Sequence, residues 1–158
     1  MSFVDYLDEV LFDTTGNIKI DLRQYLVGKI IGLGAVILNG YSYENLEGNI
    51  SYLCNCKEFD GAFDGVCRYI YIENYREPDY GYTEGGVIPT PERMICDFFM
   101  YPDELNFNLY VWDALIGYQD DDETPDDFSL VFEMFDHFGL DKSKLESAIS
   151  ELDYMRED

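Results

Sequence analysis

Few residues in this chain have the types and spacing that chemistry needs. Its one histidine is His137. A lone imidazole works as a general base only with a nucleophile or carboxylate placed beside it. The sequence has no Gly-x-Ser-x-Gly elbow, and no cysteine has a neighbouring histidine. His137 falls near the end of a predicted helix, where the helix dipole favours its cationic form, so it reads as a helix-terminal residue. Cys54, Cys56, Cys67 and Cys96 could offer four thiolates to zinc, and on a strand the first two would share a face. Their spacing is not the repeated two-residue knuckle of zinc ribbons, so buried, reduced, metal-free thiols are expected. Gly32-Leu33-Gly34-Ala35 has part of a dinucleotide fingerprint, but the third glycine is missing and no helix is predicted after it. Close packing of two backbones is the expected use of these glycines. Asp120-Asp121-Asp122-Glu123 could attract calcium, but Pro125 stands where a calcium loop requires glycine. No catalytic residue, metal or cofactor is expected.

Carboxylate in excess is what remains. Asp and Glu number 33 against 10 Lys and Arg, for a net charge of −23. Such a charge disfavours binding to nucleic acid or anionic lipid. Residues 1–79 hold 13 acids and 6 bases, whereas residues 80–158 hold 20 acids and 4 bases. Between Arg93 and Lys142 lie 13 acids, 11 aromatics and no Lys or Arg. Acid without aromatics would read as a solvated tail; acid woven through this much apolar material reads as a folded surface of one sign. Self-repulsion destabilises such a fold, and a cationic partner would relieve it. The densest stretch, Asp120, Asp121, Asp122, Glu123, Asp126 and Asp127, is the expected partner-binding loop. A second stretch, from Tyr75 to Glu84, mixes Tyr80, Tyr82 and Glu84 in the same way, joining aromatic anchors to charge.

These residues must be positioned by a single domain, residues 1–158. A short helix is expected from Ser2, with Phe3, Tyr6, Leu7, Val10 and Leu11 at helical spacing. Asp21 is placed to cap a second helix over Leu22, Tyr25, Leu26 and Lys29. The second half of Ile30–Leu38 reads as a buried strand. Asn49–Cys54 and Val66–Ile72 read as strands of an antiparallel sheet, followed by a long Gly- and Pro-rich loop between Asn74 and Pro91. Met94–Tyr101 and Asn106–Trp112 read as a hairpin, with a helix opening at Pro102 as the competing assignment. Thr124, Pro125 and Asp127 mark a helix start, and Gly139 its end. Asp141 caps a last helix that buries Leu145, Ala148, Ile149 and Leu152. The expected class is α+β: a central antiparallel sheet, a short N-terminal helical region and a C-terminal helical hairpin packed on the sheet.

In size, charge and order of elements, the whole chain resembles a broad group of small acidic proteins: bacterial immunity proteins that neutralise nuclease toxins, including those of contact-dependent inhibition systems. The resemblance implies a tight inhibitor of a basic toxin domain, not an enzyme, whose acidic face meets the toxin's cationic cleft. The alternative is a nucleic-acid mimic from a phage or mobile element, of the anti-restriction or anti-CRISPR type, with carboxylates spaced like phosphates. The start Met1-Ser2-Phe3-Val4-Asp5 lacks the basic and apolar run of a signal peptide, so a cytoplasmic location is expected.

Overall fold

The computed structural model describes residues 26–42, 49–54, 57–63, 67–83, 85–125 and 127–156. The helix expected from Ser2 lies outside them. Strand β1 (Leu26–Ile30) leads into helix α1 (Leu33–Leu38), then strands β2 (Ile50–Cys54) and β3 (Cys67–Tyr71). Helices α2 (Pro91–Met100), α3 (Phe107–Asp120), α4 (Ser129–Phe138) and α5 (Lys142–Arg156) follow. The class is α+β, as the sequence implies.

The sheet has the order β1-β2-β3, and its pairing is mixed. β1 runs antiparallel to β2, with a register shift between Leu26 and Ile30 where Gly28 takes φ +81°. β2 runs parallel to β3, from Ile50 opposite Cys67 to Cys54 opposite Tyr71. This corrects the all-antiparallel expectation. The connection over residues 55–66 has the length that a parallel crossover requires, and parallel strands carry apolar residues on both faces, as β3 does.

Three other expectations are corrected. Leu26 and Lys29 belong to β1 and not to a helix, while Leu22 and Tyr25 lie outside the described residues. The second half of Ile30–Leu38 is α1, despite its β-branched content. Gly32 turns the chain at φ +63°, and Gly34 seats the helix on β2 so closely that a Cβ there would lie 2.7 Å from the Ser51 backbone nitrogen. Tertiary packing overrides strand propensity here, and the close backbone approach expected of these glycines is realised at Gly34, whereas Gly32 meets the Leu105 side chain. The expected hairpin is two helices, α2 and α3. Thr90 caps α2 by accepting from the Arg93 N–H, and Pro91 opens it. In α3, Val111, Ala114, Leu115 and Tyr118 are buried at helical spacing, whereas Leu109, on the expected strand's apolar face, is 67% exposed.

The C-terminal helices follow the sequence more closely. Gly139 ends α4 in the left-handed region, and Asp141 accepts from the Ser143 N–H at the start of α5. Thr124 is not the cap of α4; its hydroxyl donates back to the Tyr118 and Asp121 carbonyls and closes the end of α3. One continuous core joins Ile50, Leu53 and Tyr69 of the sheet to Phe98, Leu115, Phe135 and Leu152 of the helices. Among the described residues, no helix is long and apolar enough to cross a membrane.

Gly34→Ala forces a methyl group against the β2 backbone. Overpacking of this kind costs about 2 kcal/mol. The thermal midpoint should fall by roughly 4–8 °C, read by circular dichroism. An unchanged midpoint would mean that α1 is not seated so closely.

Candidate functional site

The loop between β3 and α2 is organised by one buried cation. Arg93 and Asp97 lie four residues apart on the inner face of α2, and neither is more than 1% exposed. Arg93 Nε donates to Asp97 Oδ1 at 2.8 Å. Its Nη1 donates to the carbonyls of Glu77 and Tyr80, both at 2.8 Å, and its Nη2 to that of Arg76 at 2.5 Å. The guanidinium carbon lies 4.7 Å from the Tyr75 ring centre and 4.8 Å from that of Phe138. Three loop carbonyls, those of Arg76, Glu77 and Tyr80, thus face the guanidinium, and Asn74 and Glu77 are held at φ +57° and +40° in the same stretch. Non-glycine residues enter that region only where surrounding contacts compel them.

The tyrosines complete this network. Tyr75 donates to Asp97 Oδ2 at 2.5 Å, and the Tyr75 and Tyr82 hydroxyls are 2.8 Å apart. Burial, reinforced by the Asp97 carboxylate, pushes both phenols above their ordinary range and keeps them as donors. Burial also pushes the Asp97 carboxyl up, to about 6, against the opposing pull of Arg93 and Tyr75. Lys29 of β1 sits 4.7 Å from the Tyr82 ring centre, donates to the Gly86 carbonyl and pairs with Asp79 at 3.2 Å. Tyr82 therefore spends its hydroxyl inside the protein. Tyr80 is 38% exposed, and its ring stacks on His137 at 3.8 Å. His137 Nε2 lies 2.9 Å from Glu77 Oε2, so the histidine stands in the last turn of α4 as expected and also clasps the loop. Glu84 lies outside the described residues.

The acidic stretch lies between two helices, α3 and α4, and not between a sheet element and a helix. Tyr41 packs on Gly117 of α3, where a Cβ would lie 2.3 Å from the tyrosine ring. The Tyr41 hydroxyl donates to Asp121 Oδ2 at 2.6 Å, and Asp121 Oδ1 accepts from the Glu123 N–H. Asp120 pairs with Arg156 of α5 at 2.9 Å. Asp127 accepts from the Ser129 N–H, which holds its carboxyl below the usual range. Asp126 lies outside the described residues. A groove of about 940 Å³ opens here between residues 39–42 and the end of α3, lined by Tyr41 and Ile116 and by the carboxylates of Asp113, Asp120, Asp121, Asp122 and Glu123. Of the predicted loop residues, four line this groove; Asp127 does not.

The two patches are linked by neighbours in the first turn of α2. Arg93 turns to the tyrosine loop, while Glu92 faces the buried Tyr118, near Asp121. Burial raises the Glu92 carboxyl above its ordinary value. Sequence reasoning missed Arg93, Asp97, Tyr41 and Asp113. The signal for the first two was present: an arginine inside an apolar helical stripe with an aspartate four residues on. Cys54 and Cys96 are buried, and burial pushes the Cys96 thiol up, so it stays protonated and unreactive. Cys67 lies in β3, and Cys56 is outside the described residues. Among the described residues, no group of three His, Cys, Asp or Glu side chains is placed to hold a metal ion.

Asp97→Ala should leave the Arg93 Nε and the Tyr75 hydroxyl buried without their acceptor, at a cost of roughly 3–5 kcal/mol in a urea titration. The native pH dependence has a definite sign. Because the folded carboxyl titrates near 6, above its unfolded value, its ionised form subtracts stability fully above that pH. The penalty is relieved as pH falls from 6 toward the ordinary carboxyl range. Stability should therefore rise between pH 7.5 and pH 5, with a shallower slope in Asp97→Asn; equal slopes would remove Asp97 as the source.

A scan against protein-family models, a search of curated proteins and a search of solved structures each find no match to this chain.

Proposed function

We propose that this protein is an inhibitor that neutralises a basic protein, as an immunity protein for a nuclease toxin domain, and that it acts in the cytoplasm. The observation that carries the reading is the groove at the end of α3, where five carboxylates surround Tyr41 and Ile116. A nuclease cleft is cationic because it binds a polyanion, and it would bring Lys and Arg side chains to this rim. Charge of opposite sign accelerates encounter, while apolar and aromatic surface adds area that persists at high salt. The exposed ring of Tyr80 is a further contact residue in this proposal; Tyr82 supports the loop from within. The concave grouping of the acids favours inhibition over nucleic-acid mimicry, which needs carboxylates spaced along a ridge. Asp120 and Asp121 are also tied to Arg156 and Tyr41, unlike freely projecting phosphate substitutes.

The test is to search the genes flanking this chain's gene for a toxin nuclease domain and to co-express that domain with the chain. The native chain should restore growth and bind the purified domain, with an association rate that falls as NaCl is raised. Asp113→Asn, Asp122→Asn and Glu123→Gln together remove three rim charges and leave the Tyr41–Asp121 and Asp120–Arg156 contacts intact. This variant should bind at least tenfold more weakly, a loss of ~1.4 kcal/mol, with an unchanged or higher thermal midpoint. Full protection and unchanged affinity would exclude the groove, and absence of binding by the native chain would sink the inhibitor reading.

A further inference from the structure

Helix α5 differs in charge from its neighbours α3 and α4. Lys142, Lys144 and Arg156 balance Glu146, Glu151 and Asp153, so the helix is neutral within a protein of −23. Beyond Arg93 these are the only Lys and Arg residues in the sequence. Contact between two copies is opposed wherever acidic faces meet, and it is less opposed along α5 than along α3 or α4, which carry acids and no Lys or Arg.

One face of α5 carries Lys144, then Ser147 and Ala148, then Glu151, then Met155, at successive helical turns. With Phe99 of α2 and Phe107 and Trp112 of α3, the first four of these line a groove of about 580 Å³. Among the described residues, Leu109 of α3 and Tyr154 and Met155 of α5 make up three of the six exposed large hydrophobic side chains. Lys142 and Arg156 are paired with Asp136 and Asp120, whereas Lys144 and Glu151 form no ion pair among the described residues.

We infer that this face binds a second copy of the chain, through antiparallel packing of α5 on α5 about a two-fold axis. Lys144 and Glu151 are seven residues apart, about 10.5 Å along the helix at 1.5 Å per residue. A two-fold arrangement sets Lys144 of each copy opposite Glu151 of the other, the self-complementary pattern that an isologous interface demands. Its centre falls beside Ser147, whose small exposed side chain lets the helix axes approach to roughly 8–10 Å, while Ala148 stays in the chain's own core. Phe99, Phe107 and Trp112 supply apolar area beside the axis. This pairing does not depend on the inhibitor reading.

Analytical ultracentrifugation of the full chain tests it, at concentrations up to about 200 µM so that mass action favours the dimer. The native protein should dimerise, and more tightly in about 0.5 M than about 0.05 M NaCl, because salt screens the net repulsion more than it screens close ion pairs. That dependence is opposite in sign to the one proposed for the cationic partner, so the two interactions fail separately. Lys144→Glu sets carboxylates against each other at both ends of the interface and should weaken the dimer at least tenfold. Combining it with Glu151→Lys restores opposite charges and should return the affinity to within roughly threefold of native. Circular dichroism of each variant checks that α5 remains folded. The emission of Trp112, the only tryptophan, should shift with dilution of the native chain and not of Lys144→Glu. A native chain that stays monomeric at both salt concentrations overturns the inference, as does a charge-swapped variant no tighter than the single one.

Discussion

A guanidinium taken out of water must be given acceptors, and the β3–α2 loop of this protein is shaped by that demand. Arg93 makes four hydrogen bonds, and one carboxylate accepts a single one of them. The rest fall to main-chain carbonyls, which is why residues 76–80 curl inward although the stretch holds no regular element. An uncompensated charge of this kind costs more than the backbone strain at Asn74 and Glu77. The tyrosines are then positioned as a consequence: Tyr75 and Tyr82 turn in toward Asp97, and Tyr80 is left at the surface against His137. Conformation in this loop is set by electrostatics, whereas conformation in α3 or α5 is set by burial of an apolar stripe.

The same first turn of α2 serves the acidic side of the molecule. Glu92 and Arg93 are consecutive, and helical geometry sends consecutive side chains in directions about 100° apart. One meets Tyr118 and the neighbourhood of Asp121; the other meets the tyrosine loop. The acidic groove and the aromatic patch are therefore held to one rigid element even though forty residues of sequence separate them. A surface assembled this way is preorganised, so little ordering would be lost when a partner docks.

Much of this was legible in the sequence where a local rule had no competitor. Gly139 could end a helix, Asp141 could start one, and Leu145, Ala148 and Leu152 could only be a buried stripe. The acidic loop was found because density of charge needs no structural context. The errors arose where two periods fitted the same residues. Phe107, Leu109 and Val111 alternate as a strand would, and only the exposure of Leu109 shows that the helical period won. At Gly34, β-branched neighbours argued for a strand, while the deciding factor was a backbone sixteen residues or more away, against which a side chain would collide. Parallel pairing of β2 with β3 and the capture of loop carbonyls by Arg93 are likewise long-range, and no window of sequence contains them.

The attachment of β1 to the loop has a consequence for how the chain reaches this state. The Ile30 N–H bonds to the Val87 carbonyl, and Lys29 reaches Gly86, 57 residues further along the chain. Closing so long a span carries an entropic cost before any contact rewards it. During synthesis, β1 leaves the ribosome well before residues 86–87 exist to receive it. Its edge must wait through that interval with backbone donors bonded only to water, and Gly28, which kinks the strand, interrupts the flat template that another nascent chain would need to pair with it.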